Sequence, residues 1–165
     1  MKKARRWLTG VLMLTMLRST EHGRAQLNAN AIDAESEIKT TLYKFLIAFD
    51  NLDWPSFRQF FSPDATMFHP SAPNQKRIDS SDEFEKAWQG VFARIQKSSG
   101  RSSPPYMHLE PQDLKIQTLS AGVALVTFHL RDRNVLSRRT IVFRRDGNAW
   151  KIVHIHASNL TLPLP

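Results

Sequence analysis

A chain of 165 residues, 41% hydrophobic and 23% charged, has the balance of one folded domain with one substantial core, which excludes a disordered or low-complexity protein. Its net charge of +8 is not a nucleic-acid signature. Lys2, Lys3, Arg5, Arg6, Arg18 and Arg24 against Glu21 hold +5 of it within the first 25 residues and leave only +3 for the rest. The absence of cysteine excludes disulfides, thiolate catalysis and zinc sites built on cysteine.

Taken in chain order, residues 1–25 read as an export leader, with a disordered basic tail or a retained anchor as the alternatives. A basic start runs into the apolar stretch Trp7 to Leu17, followed by a polar tail in which Gly23 and Ala25 satisfy the small-residue preference of a cleavage site. That predicts a periplasmic or secreted protein if the segment is cleaved and a cytoplasmic one otherwise. Eleven apolar residues are too few to cross a bilayer as a helix, so no stable membrane span is expected. Residues 26–34 read as a linker, with Asp33 as the candidate cap of a first helix. Ile38, Leu42, Phe45, Leu46 and Phe49 recur at helical spacing up to about Asp50. Asn51 to Pro55 breaks that helix, and a short second helix, Trp54 to Phe61, follows with Pro55 in its first turn. Ala65 to His69 can form a short strand. A polar loop then leads to a third helix, capped by Ser81 or Asp82, with Phe84, Ala87, Trp88, Val91, Phe92 and Ile95 as its buried stripe.

The remainder reads as strands: Tyr106 to Thr118 (bent near Pro111), Ala121 to Arg131, Leu136 to Arg145 and Trp150 to Leu160, with residues 161–165 as a tail. Their connections are short enough for antiparallel hairpins, and Asp146-Gly147 supplies the turn of the last one. Three helices followed by a four-stranded meander predict an α+β domain with the helices on one face of the sheet. By the two-residue period of a strand, Trp150, Ile152, His154, His156 and Ser158 share one face and Lys151, Val153, Ile155 and Ala157 the other.

The order helix, Asn-Leu-Asp-Trp, short helix, Ala-Thr-Met-Phe-His-Pro, helix and four strands resembles the nuclear transport factor two-like superfamily. Within it, Arg144-Arg145-Asp146-Gly147, Trp150 and His154-x-His156-x-Ser158 are similar to SnoaL-like proteins and to the association domain of calcium/calmodulin-dependent kinase II. The resemblance covers Glu35 to Leu160, so that residues 35–160 form the domain. It implies a cone-shaped α+β barrel, a strongly curved antiparallel sheet wrapped over three N-terminal helices with a pocket between them. It also implies pairing through the outer face of the sheet into a homodimer or larger homo-oligomer. Isomerases, cyclases, dehydratases and association modules share this fold, so the fold does not choose the function. In the kinase association domain, arginines point into the pocket and can hold a carboxylate. The aligned positions here are Thr127, Thr140 and Ala157, none of which can do so. The carboxylate base and Tyr/Asp donors of ketosteroid isomerases have no counterpart either, since no acid stands mid-strand beside Tyr43 or Tyr106.

The candidate chemistry is therefore histidine chemistry. Strand parity leaves open which face looks inward. The alignment turns Thr127 and His129 toward the pocket and turns His154 and His156 outward, so His129 is the candidate general acid–base. His69, Trp88, Thr127, His129, Thr140, His154 and His156 are the candidate pocket residues. Each has a plainer reading as core, loop or hydrogen-bonded support for the fold, and Asp64 reads as a turn residue. Arg131, Arg133, Arg138, Arg139, Arg144 and Arg145 cluster at hairpin ends and read as a solvated rim, with an anionic ligand or a membrane surface as the alternative role and without the aromatic row that single-stranded nucleic acid requires. No metal site and no cofactor are expected. Two functions of different classes follow. The first is a non-catalytic domain that binds an apolar small molecule or associates with itself. The second is a SnoaL-like isomerase, cyclase or hydratase acting on an apolar carbonyl compound, with His129 as acid–base and His69 or Thr127 as auxiliary donor.

Overall fold

Residues 32–70, 76–132 and 134–163 are described by a computed structural model of the chain. The leader expected over 1–25 lies outside them, and so does most of the expected linker. The first helix, α1 (residues 32–50), is already helical at Ile32, so Asp33 sits within it rather than capping it. Its apolar stripe is buried as the spacing predicts, with Ile38 and Leu42 fully inaccessible. Asp53 N–H bonds Ala48 O at 3.0 Å and Leu52 N–H bonds Phe49 O at 3.0 Å, closing the helix with Leu52 in the left-handed region at φ 52°. Asp53 then caps α2 (Trp54–Arg58) by accepting from Ser56 N–H at 3.2 Å.

This tight connection sets Phe57 into the middle of the core. Its ring lies 5.0 Å from Phe45, 4.7 Å from Trp88 and 5.1 Å from Phe92. Helix α3 (Ser81–Ser99) supplies the last two of these. It is capped by Ser80, one residue earlier than its sequence suggests, and ends at Gly100 with φ 66°. Phe84, Trp88, Val91 and Phe92 form its buried stripe, with Ala87 and Ile95 half-buried beside them.

The sheet has five strands: β1 (Phe61–Phe68), β2 (Gln112–Ser120), β3 (Val123–Asp132), β4 (Val135–Asp146) and β5 (Ala149–Thr161). Their order is β1–β5–β4–β3–β2, with β1 parallel to β5 and every other pair antiparallel. The expected four-stranded antiparallel meander is thus corrected to a mixed five-stranded sheet. β1 and β2 are its two edges, so the sheet is not closed into a barrel. The expected strand from Tyr106 begins only at Gln112. Upstream, the backbone donors of Tyr106 (2.7 Å to Asp50 O) and Leu109 (3.0 Å to Asp50 Oδ1) are taken by the end of α1 and cannot join a ladder.

One face of the sheet carries Ala124, Val126, Phe128, Ile141, Phe143, Ile152 and Ile155, all buried in the hydrophobic core shared with the helices. Along β5 that face changes parity. Phe143 pairs with Ile152 but Val142 pairs with His154, which leaves Val153 as an extra residue. A bulge of this kind turns the strand over by one residue. Trp150 and Ile152 before it, and Ile155 and Ala157 after it, therefore all face inward, whereas His154 and His156 face outward. The single row from Trp150 to Ser158 does not exist.

Candidate functional site

Between the helices and the sheet lies a partly open cavity of about 80 Å³. Its floor is aromatic and aliphatic: Phe45 and Phe49 from α1, Trp88 from α3, Met67 from β1 and Ile155 from β5. Leu46 and Val91 close its helical side and Phe128 its sheet side. The rim is formed by Phe68, His69 and Pro70 at the end of β1, with Leu130, Arg139 and Ala157 from the three neighbouring strands. The floor residues Phe45, Met67 and Ile155 are buried, while the rim residues His69, Leu130, Arg139 and Ala157 remain partly accessible. The cavity therefore opens at the Arg139 end.

Arg139 is the charged group of this lining. It pairs with Phe128 on one side and Ala157 on the other, and it shares the inward parity of Ile141 and Phe143. Its one hydrogen bond among the described residues runs from Nη1 to the carbonyl of Arg138 at 3.0 Å. No carboxylate among them lies within salt-bridge distance, although Arg144 and Arg145 are both paired, to Asp64 at 3.0 Å and to Glu37 at 2.8 Å. Burial pushes the Arg139 guanidinium down to about 10, so it is still cationic at neutral pH. Nothing in the sequence reading singled it out, because Arg138-Arg139 read as one solvated pair. The signal that finds it is parity with Ile141 and Phe143.

Of the residues expected at a pocket, His69 and Trp88 line the cavity and the other five do not. The inward orientation expected for Thr127 and His129 is corrected: Ala124, Val126 and Phe128 occupy that face of β3, so the odd positions point the other way. His129 instead holds Asp113 across the β2–β3 pair, Nδ1 to Oδ2 at 3.2 Å, on an outward carboxylate whose residue takes φ 51°. Thr140 stands between Thr127 and His156 on the same outer face. His154 shares a 2.8 Å hydrogen bond between Nδ1 and Thr66 Oγ1, and the Phe68 ring lies against both it and His156. Burial, then the neighbouring His156 and Arg77, hold the His154 imidazole below its usual value. Asp64, expected in a local turn, accepts from Arg144 and from the Ser62 hydroxyl.

A larger open groove, about 610 Å³, runs between α1 and the β4–β5 turn. Its best-placed polar groups, Glu37, Trp150 and Lys151, already have partners. Glu37 accepts from Arg145 at 2.8 Å and from Trp150 Nε1 at 2.9 Å, and Lys151 Nζ donates to Gln59 O at 2.6 Å. The smaller cavity is the more apolar of the two and carries a charged group at its mouth. No helix among the described residues is long and apolar enough to cross a membrane.

Comparison with known proteins agrees with this geometry at the level of the fold. The family model described as a SnoaL-like domain matches residues 38–163. No curated protein matches the chain. An NTF2-like protein of unknown function from Pseudomonas putida KT2440 is similar at 21% identity and a TM-score of 0.63, over 77% of this chain and 87% of that one. A candidate dehydratase of the NTF2-like family from Streptomyces avermitilis is similar at 19% identity and a TM-score of 0.61, over 78% and 97%. The kinase II hub homology domain of Chlamydamonas reinhardtii is similar at 17% identity and a TM-score of 0.57, over 78% and 99%.

Proposed function

The chain belongs to the SnoaL-like family, and we propose that within it this protein binds a small, largely apolar molecule without transforming it. The observation that carries this reading is the make-up of the cavity. The lining is aromatic and aliphatic apart from His69 and Arg139. An arginine is a poor general acid or base, because its guanidinium keeps its proton at neutral pH. The enzyme reading, an isomerase, cyclase or hydratase with His129 as acid–base, loses its main support because His129 stands on the outer face against Asp113.

The same outer face suits self-association. Leu125, Val142 and His154 form one row across it, and Thr127, Thr140 and His156 form the next. A conical curvature of the sheet would leave this surface convex and open to a second copy. Export through the basic, apolar start of the chain belongs to the same proposal.

Native mass spectrometry of the purified mature chain tests the binding reading. A small-molecule adduct released on denaturation, or a melting temperature raised by small apolar probes, is the expected result. Catalytic consumption of a carbonyl compound, abolished by His69→Ala, would replace this reading by the enzymatic one.

A further inference from the structure

We infer that His154 and His156 form a two-imidazole site for a divalent transition-metal ion on the outer face of the sheet, with Thr66 orienting His154 for it. The site is separate from the cavity and does not rest on the binding reading above.

The spacing His154-x-His156 alone names no metal, and three features of the fold supply what it lacks. The first is the bulge at Val153. Had β5 run on regularly, both histidines would share the buried face of Trp150 and Ile152. The extra residue turns them outward together, His156 exposed and His154 half-buried beside it. Two residues apart on one strand face they stand about 7 Å apart, so that both rings can reach one ion at about 2.0 Å from each nitrogen.

The second feature is orientation. His154 Nδ1 lies 2.8 Å from Thr66 Oγ1 on β1. A metal on Nε2 selects the tautomer with its proton on Nδ1, and the Thr66 hydroxyl oxygen accepts that hydrogen bond. Histidine ligands are commonly held in this way, through the ring nitrogen that the metal does not use. The Phe68 ring bears on both imidazoles, 5.8 Å from His154 and 5.4 Å from His156 between centroids, and limits how far either can swing away.

The third is the donor set. Across the ladder the pair meets Thr66, Phe68, Thr140 and Val142, so the site offers imidazole nitrogen and neutral hydroxyl groups. Arg77, whose charge reaches His154, is tied to Asp79 at 2.9 Å, which lessens its repulsion of an ion. An imidazole pair suits copper, nickel and zinc, whereas magnesium and calcium take oxygen ligands. Among the divalent ions Cu²⁺ stands highest in the general order of affinity. Water fills its remaining positions.

The test is titration of the tag-free full chain with Cu²⁺, Ni²⁺, Zn²⁺ and Mg²⁺, followed by calorimetry and by NMR of the imidazole signals. The first equivalent of Cu²⁺ should bind more tightly than the first of Ni²⁺ or Zn²⁺, with Mg²⁺ silent. Substoichiometric Cu²⁺ should broaden His154 and His156 before His22, His69, His108 and His129. That comparison needs no variant. Losing a ligand costs at least as much as losing its outer partner, so His156→Gln should lower Cu²⁺ affinity by roughly tenfold or more. The position is exposed, and the circular dichroism spectrum should not change. Thr66→Val should weaken binding about tenfold, and Thr66→Ser should keep it. Broadening that starts at another histidine overturns the site, and so does an affinity that survives His156→Gln. Mg²⁺ bound as tightly as Cu²⁺ overturns the imidazole donor set. An unchanged affinity in Thr66→Val overturns the orienting role of Thr66.

Discussion

Arg139 and Ala157 face each other across the β4–β5 pair, and both look into the cavity. A large side chain on one strand is accommodated because its partner has only a methyl group, so the space beside the guanidinium depends on residue 157 remaining small. Ala157→Leu is therefore expected to fill the rim of the cavity. Ligand affinity should fall at least tenfold, while the unfolding free energy changes by no more than about 1–3 kcal/mol, the usual range for an added core methylene. Calorimetry and urea denaturation on the same preparation separate the two effects. An Ala157→Leu chain that binds as wild type places the ligand elsewhere.

Phe57 is the point on which the helices and β1 converge, with rings from α1, α3 and β1 all within about 5 Å. Truncating a fully buried phenylalanine removes its transfer free energy and leaves a cavity that a cage of rings closes poorly. Phe57→Ala should cost about 3–5 kcal/mol in urea denaturation. Tyr43→Ala, on the exposed side of α1, should stay within about 0.5 kcal/mol. Equal losses for the two would show that the ring cluster is not the centre of the core.

The pH dependence between 7.5 and 5 should report His154. Burial, His156 and Arg77 hold its imidazole below the ordinary value, and it is further fixed by Thr66 and packed against Phe68. In the unfolded chain the imidazole takes up its proton near pH 6.5, while in the folded chain it resists. Stability is therefore full above that pH and falls as the pH drops below it, until the folded imidazole also protonates. Carboxylates act in a different window. Glu37 is held low by Trp150 and then Arg145, and Asp64 by Ser62 and then Arg144, so their contributions are lost only at more acidic pH. His154→Gln should flatten the fall in urea midpoint between pH 7.5 and 5.5. An unchanged slope would assign the effect to another group.

How much of this was legible in the sequence differs from element to element for physical reasons. The stripes of α1 and α3 follow from helical spacing alone, because each helix buries one face against one core. The β4–β5 hairpin follows from Asp146-Gly147, since Gly147 takes φ 57° at the turn. The parallel pairing of β1 with β5 joins residues about ninety positions apart and leaves no local mark. The bulge at Val153 is equally silent, because valine, isoleucine and histidine suit either face of a strand. One misplaced residue of parity was enough to draw a continuous row from Trp150 to Ser158. Arg139 was the reverse case. Its parity with Ile141 and Phe143 was visible, but an arginine beside another arginine suggested solvent.

Assembly is the remaining question, and Val142 answers it best. It lies on the outer face, paired with Leu125 on one side and His154 on the other, and it touches neither the cavity nor the ring cluster. A dimer formed through this face would bury the Leu125 and Thr127 rows against their symmetry mates, and a carboxylate there would be desolvated without a partner. Sedimentation of the wild-type mature chain at micromolar concentration should give a dimer or larger species. Val142→Glu should give a monomer with an unchanged circular dichroism spectrum, because the position is half-exposed within a subunit. A wild-type monomer would remove the association proposal altogether. A Val142→Glu dimer would move the interface off the outer face and leave that surface free.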